Sequence, residues 1–355
     1  MQTTDLFCCP KCHGALKQDA QALVCANCGS AARFHRGGIV DFATRDLYWS
    51  YLDRPELARM VDVAETKGID AALEQFLRPR PDGEFYFDLL HENRGDFRFL
   101  IPAPSDGICL DLGSGWGANA LGLCRQFGHV VAADGTRENL EFVQVRMRDA
   151  GRKNITLAHI DPLEATGLPF RDGTFAAVVL SGVLEWVGTG VDTGSPRDHQ
   201  LRVLRELRRV MAPDGYLYIG IENRYFVLYF VGKREPHAMV PFLSILPRPL
   251  ANVVSYLARR RPFRNYTYSQ RGLTTLLAEA GFNDPEFFLP LPSYQHPDVI
   301  APLENTLPLR YWLGELMGRR NRKRALYGAG LGILGALGLL KYLASDFSVV
   351  ARRTA

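Results

Sequence analysis

The sequence predicts an α/β protein: a parallel sheet with crossover helices on both faces, preceded by a small cysteine-rich module and a helical segment. Three observations carry this. Five of the seven cysteines (Cys8, Cys9, Cys12, Cys25, Cys28) lie within the first 28 residues. Residues 45–100 show helical apolar spacing, and from residue 106 short apolar runs alternate with helical patterns. A chain of 355 residues is long enough for about two domains with a sizeable core. Its 47% apolar and 23% charged residues exclude a disordered or collagen-like chain. The balance of 42 Lys+Arg against 38 Asp+Glu leaves +4, too little by itself to argue for a nucleic-acid partner. Residues 1–30 lack a basic start followed by an apolar core, so the expected compartment is the reducing cytoplasm. There, paired cysteines bind metal more often than they form disulfides.

Cys9-Pro-Lys-Cys12 and Cys25-Ala-Asn-Cys28 are two C-x-x-C pairs separated by twelve residues. Each closes a tight turn that aims two thiolates at one point, and two turns supply the four sulfurs of a tetrahedral Zn²⁺ site. Cys8 is an alternative to Cys9 as ligand. Four sulfurs leave no open coordination position, so the expected zinc is structural, and it supplies folding energy that so short a segment lacks. Residues 1–42 therefore read as a zinc ribbon. Leu57, Met60, Val61 and Ala64, then Phe87, Leu89 and Leu90, place helices in a linker region over 43–105, broken at Pro79 and Pro81 and closed by Pro102-Ala-Pro104.

The main domain, 106–355, opens with a strand, Gly107–Leu112, and a glycine turn, Gly113-Ser-Gly115-Trp-Gly117. Such a turn lets backbone approach a ligand closely. By itself the turn is a weak signal, because Gly113-x-Gly115-x-x-Ala118 also satisfies the dinucleotide fingerprint. A second strand ends at Asp134, where a carboxylate can accept hydrogen bonds from two ribose hydroxyls. A helix over 137–150 and a strand over 155–160 ending at Asp161 continue the alternation. Leu168-Pro-Phe-Arg-Asp-Gly-Thr-Phe175 leads into a strand ending at Ser181, and Arg209-Val-Met-Ala-Pro-Asp-Gly215 into another over 216–221.

With these motifs in this order the chain resembles the class I S-adenosylmethionine-dependent methyltransferases, in the small-molecule subgroup that includes the quinone methyltransferases. The resemblance covers 106–223 closely and 268–290 more loosely. Phe34–Phe42 is similar to the exit of zinc ribbons that precede bacterial methyltransferase domains. The resemblance implies a Rossmann-like sheet and S-adenosylmethionine as cofactor. It implies that Asp111, Gly113, Gly115 and Gly117 line the methionine and ribose side, that Asp134 binds the ribose hydroxyls, that Asp161 faces the adenine amino group, and that Ser181 lies near the sulfonium. The sequence departs from the subgroup twice. Trp186 stands where relatives often carry a histidine, and Gly135 where many carry a larger residue.

Methyl transfer from a sulfonium rests mainly on proximity and orientation, with a general base useful for a hydroxyl acceptor. Strand carboxyl ends offer Glu185, Glu222 and, less directly, His199; His237, in a proline-bounded segment, is expected to be exposed. Two insertions interrupt the domain. The apolar insertion at 224–268 reads as an acceptor-binding lid ending in Arg259-Arg-Arg261. The insertion at 291–344 is proline-rich to 308, which argues against long regular structure, and then carries the basic run Arg319–Arg324 and the uncharged stretch Ala325–Leu340. That stretch reaches only about 24 Å as a helix, short of a bilayer core, so it reads as a core or lid helix, or as one lying on an anionic membrane. Asp346–Arg352 reads as the last, antiparallel strand. The expected function is methylation of a small-molecule or lipid-linked acceptor at O or C. An RNA-base methyltransferase using the ribbon and basic runs, and a cofactor-binding scaffold without turnover, are the alternatives.

Overall fold

The strands of the amino-terminal module are three to five residues long, and one of them ends at a cysteine of the second C-x-x-C turn, Cys25. The computed structural model describes residues 3–161, 167–191, 193–305, 311 and 322–353. The chain divides into two compact units, Met1–Leu180 with Val203–Tyr218 and Arg352–Ala355, and Ser181–Arg202 with Ile219–Ala351.

In the first unit, β1 (Leu16–Gln18), β2 (Ala22–Cys25), β3 (Ala31–His35) and β4 (Ile39–Asp41) form an antiparallel meander. The Gly37 and Gly38 backbones, both with positive φ, make the corner into β4. β4 then pairs in parallel with β7 (Ile155–His159), in the register Val40↔Ala158. β6 (His129–Asp134) pairs in parallel with β7 and with β5 (Ile108–Leu112), which pairs in parallel with β8 (Phe175–Ser181). The order is β1-β2-β3-β4-β7-β6-β5-β8. Strands β5, β6 and β8 are near-continuous apolar runs, as expected of parallel strands covered on both faces.

Helices α1 (Arg54–Lys67), α2 (Ile69–Phe76) and α3 (Gly83–Leu90) follow the ribbon in the chain, and α1 and α2 pack on each other and on the helix after β6. Asp53 caps α1 by accepting the Glu56 N–H, with Pro55 in the first turn. Leu57, Met60, Val61 and Ala64 pack with Leu89, Leu90, Trp116 and Phe142 in one core. α5 (Arg137–Asp149) carries Arg146, buried and donating to the Trp116 and Leu90 carbonyls at 2.5 and 2.6 Å. Burial lowers its pKa to about 10, and these carbonyls make that guanidinium a strut between α3 and the glycine turn. α4 (Ala118–Leu123) is a short helix packed on the 3₁₀ segment Glu92–Leu100. The approach is close: a side chain at Gly122 would meet the Glu92 carbonyl at 2.8 Å.

Helix α6 (Pro196–Val210) and β9 (Met211–Glu222) each contribute to both units. In the second unit the strand order is β9-β12-β10-β11, with β10 (Asn283–Leu291) antiparallel to β11 (Val299–Pro302) and β12 at Asp346–Arg352. The prolines were expected to argue against long regular structure there, and the strand they allow after residue 291, β11, is only four residues long. β11 ends its order, and a border strand tolerates the missing N–H of Pro302. α7 (Arg248–Arg259) lies in the 224–268 insertion, and α8 (Gln270–Glu279) is capped by Ser269, which accepts the Gly272 N–H. α9 (Arg322–Ala336) and α10 (Leu340–Leu343) flank Gly338, whose positive φ ends the helix, so the expected continuous stretch to Leu340 is broken. Leu326, Ile333 and Leu337 are exposed there, which excludes a core helix along that whole length. Residues 319–321 of the basic run lie outside the described residues. No helix among the described residues is long and apolar enough to cross a membrane.

Candidate functional site

The cysteine turns come first in the chain and meet their expectation. The sulfurs of Cys9, Cys12, Cys25 and Cys28 all lie within 4.8 Å of one another. Cys9–Cys28, Cys12–Cys25 and Cys12–Cys28 are 3.5, 3.4 and 3.6 Å apart. A tetrahedron of sulfurs at about 2.3 Å from a Zn²⁺ has edges of about 3.8 Å, so the four thiols fit that ion with small relaxation. Cys8 points elsewhere, with its sulfur 3.2 Å from the Phe170 carbonyl. The choice between Cys8 and Cys9 therefore falls to Cys9.

The glycine turn after β5 is the second constellation. Gly113, Gly115 and Gly117 all have positive φ, which a residue with a Cβ adopts only at a cost. A side chain at Gly117 would strike Val143 at 2.8 Å, whereas the space beside Gly115 is open. Thus Gly117 is needed for packing, and Gly115 for its backbone shape and the room it leaves. Asp134, at the end of β6, accepts the Gly115 and Thr136 amides at 2.8 Å each and the Asn139 side chain at 3.2 Å. Asp111 has both carboxylate oxygens buried without a hydrogen-bond partner, as do Ser114 Oγ and Asn119 Oδ1. Burial first, and then the Asp134 charge, raise the Asp111 pKa to about 7. Orphaned acceptors under an open glycine turn are what a ligand bearing an ammonium and hydroxyls would satisfy.

A segment ahead of α1 lies over Gly135–Asn139 beside this turn, and sequence reasoning missed it. Trp49 donates its N–H to Thr136 Oγ1 at 2.8 Å, and its carbonyl accepts from Thr136 and Asn139. Arg45 forms an ion pair with Asp161, whose side chain is wholly buried. Leu47 lies 3.5 Å from where a Gly135 side chain would begin, so Gly135 marks the place where this segment crosses. Beside it, His159 links Asp41 of the ribbon exit (2.8 Å) to the Gly135 carbonyl (3.1 Å), and His35 approaches the same Asp41 at 2.5 Å. The signal available was the run of aromatic and charged residues at 45–51, which lacks helical spacing.

The second unit holds a third constellation. Glu185 sits in the 3₁₀ turn Leu184–Trp186 that follows β8, and Glu222 ends β9. Each offers a ligand atom within 4.8 Å of the other and of a His237 nitrogen. His237 was expected to be exposed; its side chain is 4% exposed, because the 224–268 insertion folds inward there and Trp186 packs edge-on at 5.1 Å. His237 Nδ1 meets Glu235 at 2.5 Å, while Nε2 lies 3.9 Å from Glu222 Oε2. Tyr294 donates to the other Glu222 oxygen at 3.0 Å. Glu185 Oε2 and Glu222 Oε2 are buried without hydrogen-bond partners.

Burial and the neighbouring Glu222 charge push the Glu185 carboxyl well above its usual range, and Asp346 up to about 8. Burial alone would lower the His237 pKa, but its bond to Glu235 and the charge of Glu222 hold it up at about 9. Ser181, at the end of β8, is also buried with its hydroxyl unpartnered. His199 belongs to α6 and not to a strand end; its Nε2 is taken by the Thr193 carbonyl at 2.8 Å. Asn223 and Arg224, which follow Glu222, hold backbone carbonyls. Asn223 holds the Tyr342 and Ala344 carbonyls, and Arg224 those of Ser244 and Leu246.

Residues 110–219 match the family model of the methyltransferase domain. That match runs from within β5 to within β9, the parallel-sheet region where the sequence led us to expect a methyltransferase domain. A demethylmenaquinone methyltransferase of Clavibacter sepedonicus is 35% identical over 122 residues, which are 34% of this chain and 43% of that protein. The chain thus spans less than half the length of the curated relative it matches. Among solved structures, an S-adenosylmethionine-dependent methyltransferase from Aquifex aeolicus aligns with 79% of this chain and 97% of its own, at 15% identity and a TM-score of 0.42. A phosphoethanolamine N-methyltransferase from Haemonchus contortus aligns with 82% of this chain and 59% of its own, at 15% identity and a TM-score of 0.43.

Proposed function

We propose that the protein is an S-adenosylmethionine-dependent methyltransferase acting on a small-molecule acceptor, O- or C-methylating a lipid-linked one. The observation that carries this reading is the open glycine turn with Asp134 at its rim and the unpartnered Asp111 beneath it. In this reading Gly113, Gly115 and Gly117 admit the methionine and ribose, Asp111 lies on the methionine side, and Asp134 takes the ribose hydroxyls. Asp161, held by Arg45, faces the adenine, and Ser181 lies near the sulfonium. Residues 1–42 are the zinc ribbon, 43–105 the helical linker and 106–355 the catalytic domain, with insertions at 224–268 and 291–344. Cys9, Cys12, Cys25 and Cys28 hold a structural Zn²⁺.

The bound cofactor supplies an electrophilic methyl group. The acceptor's oxygen or carbon forms the new bond to it, the S–CH₃ bond breaks with its electron pair returning to sulfur, and the acceptor proton leaves to a carboxylate. Glu222 and Glu185 are the groups for that proton, being buried with an unpartnered oxygen each. A lipid-linked acceptor is supported by the apolar side chains that the insertion exposes, among them Leu250, Val253 and Leu257 along α7, with the basic Arg259–Arg261 at its end. The curated relative is itself named for a lipid quinone.

Titration calorimetry with S-adenosylmethionine tests the cofactor, and incubation of a lipid extract with methyl-labelled cofactor tests the acceptor. The reading requires binding by the wild type, weakened about 100-fold in Asp134→Ala through loss of two charge-assisted hydrogen bonds. Equal affinity in the two proteins overturns it.

A further inference from the structure

The glutamates of the second unit raise a question that proton transfer alone does not answer. Ligand atoms of Glu185 and Glu222 lie within 4.8 Å of each other and of one imidazole, Glu235 meets that imidazole at 2.5 Å, and Glu185 is 1% exposed. Buried carboxylates in excess over cations are costly unless something positive completes them. Three features show where that positive charge belongs. First, Glu185 Oε2 and Glu222 Oε2 lack any hydrogen-bond partner. Second, His237 Nε2 stands 3.9 Å from Glu222 Oε2, too far for a hydrogen bond but near the 3.0–3.5 Å separation, roughly, of two ligands about 2.1 Å from one ion. Third, the outer partners are already in place. Glu235 takes His237 Nδ1 at 2.5 Å, so that a cation displacing the other ring proton would meet Nε2 as the ligating atom, and Tyr294 holds the second oxygen of Glu222 at 3.0 Å. A carboxylate behind a histidine is the usual support for a metal-bound imidazole.

We infer that Glu185, Glu222 and His237 form a binding site for one divalent cation, with Glu235 and Tyr294 as the groups that orient its ligands. Two carboxylates and an imidazole suit Mn²⁺, Fe²⁺ or Zn²⁺ better than a thiophilic ion. Three protein ligands leave at least one coordination position for an oxygen of another molecule. That last ligand would be the acceptor, a step that rests on the methyl-transfer reading. The cation site does not rest on it. With the ion present, Glu185 and Glu222 would hold it, the ion would lower the pKa of an acceptor hydroxyl, and the proton would still leave to a carboxylate oxygen that the ion does not engage.

Mn²⁺ is the probe, because the ribbon thiolates select softer ions. The full-length protein, stripped with a chelator and resupplied with one equivalent of Zn²⁺ for the ribbon, is titrated with Mn²⁺ while the free-ion paramagnetic resonance signal is followed. One Mn²⁺ per chain is expected. Affinity should fall at least tenfold in each of Glu185→Gln, Glu222→Gln and His237→Gln, and about 10–100-fold in Glu235→Gln. Glu185→Gln keeps the shape and removes a buried carboxyl, so its urea midpoint without Mn²⁺ should equal or exceed the wild type's. A measurement on the wild type alone guards against misfolded variants: bound Mn²⁺ should broaden the Trp186 indole resonance, whose ring lies 5.1 Å from that of His237. No uptake at millimolar Mn²⁺ and Zn²⁺, or uptake that leaves Trp186 sharp, overturns the inference. S-adenosylmethionine binding, measured separately, reports on the methyl-transfer reading whichever way the cation result falls.

Discussion

The four cysteines of the ribbon and the Glu185–Glu222–His237 group gather metal-capable atoms within the same 4.8 Å, yet by opposite routes. The cysteines come from two turns beside one short hairpin, so their spacing in sequence is their geometry. The glutamates and the histidine come from a 3₁₀ turn, a strand end and an insertion, and meet only after the chain has folded around them. The carboxylates cannot be buried as charges without cost, which is why Glu185 and Asp346 are driven toward their protonated forms. Local spacing makes a site legible; long-range assembly makes it strained and responsive.

The largest effect expected is on the ribbon. Cys28→Ser, or a strong chelator, should abolish the dispersed amide resonances of β1 to β4, since a segment so small has little core of its own. Retention of those resonances without zinc would make the two sites more alike than proposed. Asp134→Ala comes next, with its roughly 100-fold loss of cofactor affinity by calorimetry. Glu222→Gln should then lower kcat by about 100-fold while cofactor affinity stays within about twofold, since this residue serves the acceptor. A matched loss of cofactor affinity would merge two functions held apart here.

Asp111 gives a smaller, pH-dependent effect. Its folded pKa of about 7 lies above its unfolded value of 3.8, so its contribution to stability is full below about pH 4 and is lost as pH rises through about 7. Urea titrations should show the stability of wild type relative to Asp111→Asn falling across that window, at most by about 1.4 kcal/mol per unit of pKa shift, with bound cofactor flattening the slope. The smallest effect belongs to Arg45→Ala, a few-fold rise in the cofactor Kd, because the guanidinium orients Asp161 from a partly exposed position.

Much of the first unit was readable from the chain. Strands β5 to β9, the glycine turn, Asp134 and the cysteine quartet followed from short patterns in which neighbours in sequence are neighbours in space. The segment beside the turn did not follow, because Arg45, Leu47 and Trp49 make irregular contacts that carry no periodicity. In the second unit Glu185 and Glu222 were legible as residues at strand ends. His237 was not, because its prolines and polar neighbours suggested solvent, whereas Glu235, Trp186 and the inward fold of the insertion decide its burial. Tyr294 and Asp346 join the group through strand order, which no local pattern encodes.

The pairing of β4 with β7 has a further consequence. Val40 and Asp41 pair along a flank of β7 that no later strand among the described residues covers. An uncovered parallel strand is a template for a second molecule, and such borders promote aggregation. By covering that flank the ribbon would guard solubility, so a ribbon unfolded by Cys28→Ser should show as concentration-dependent self-association in light scattering.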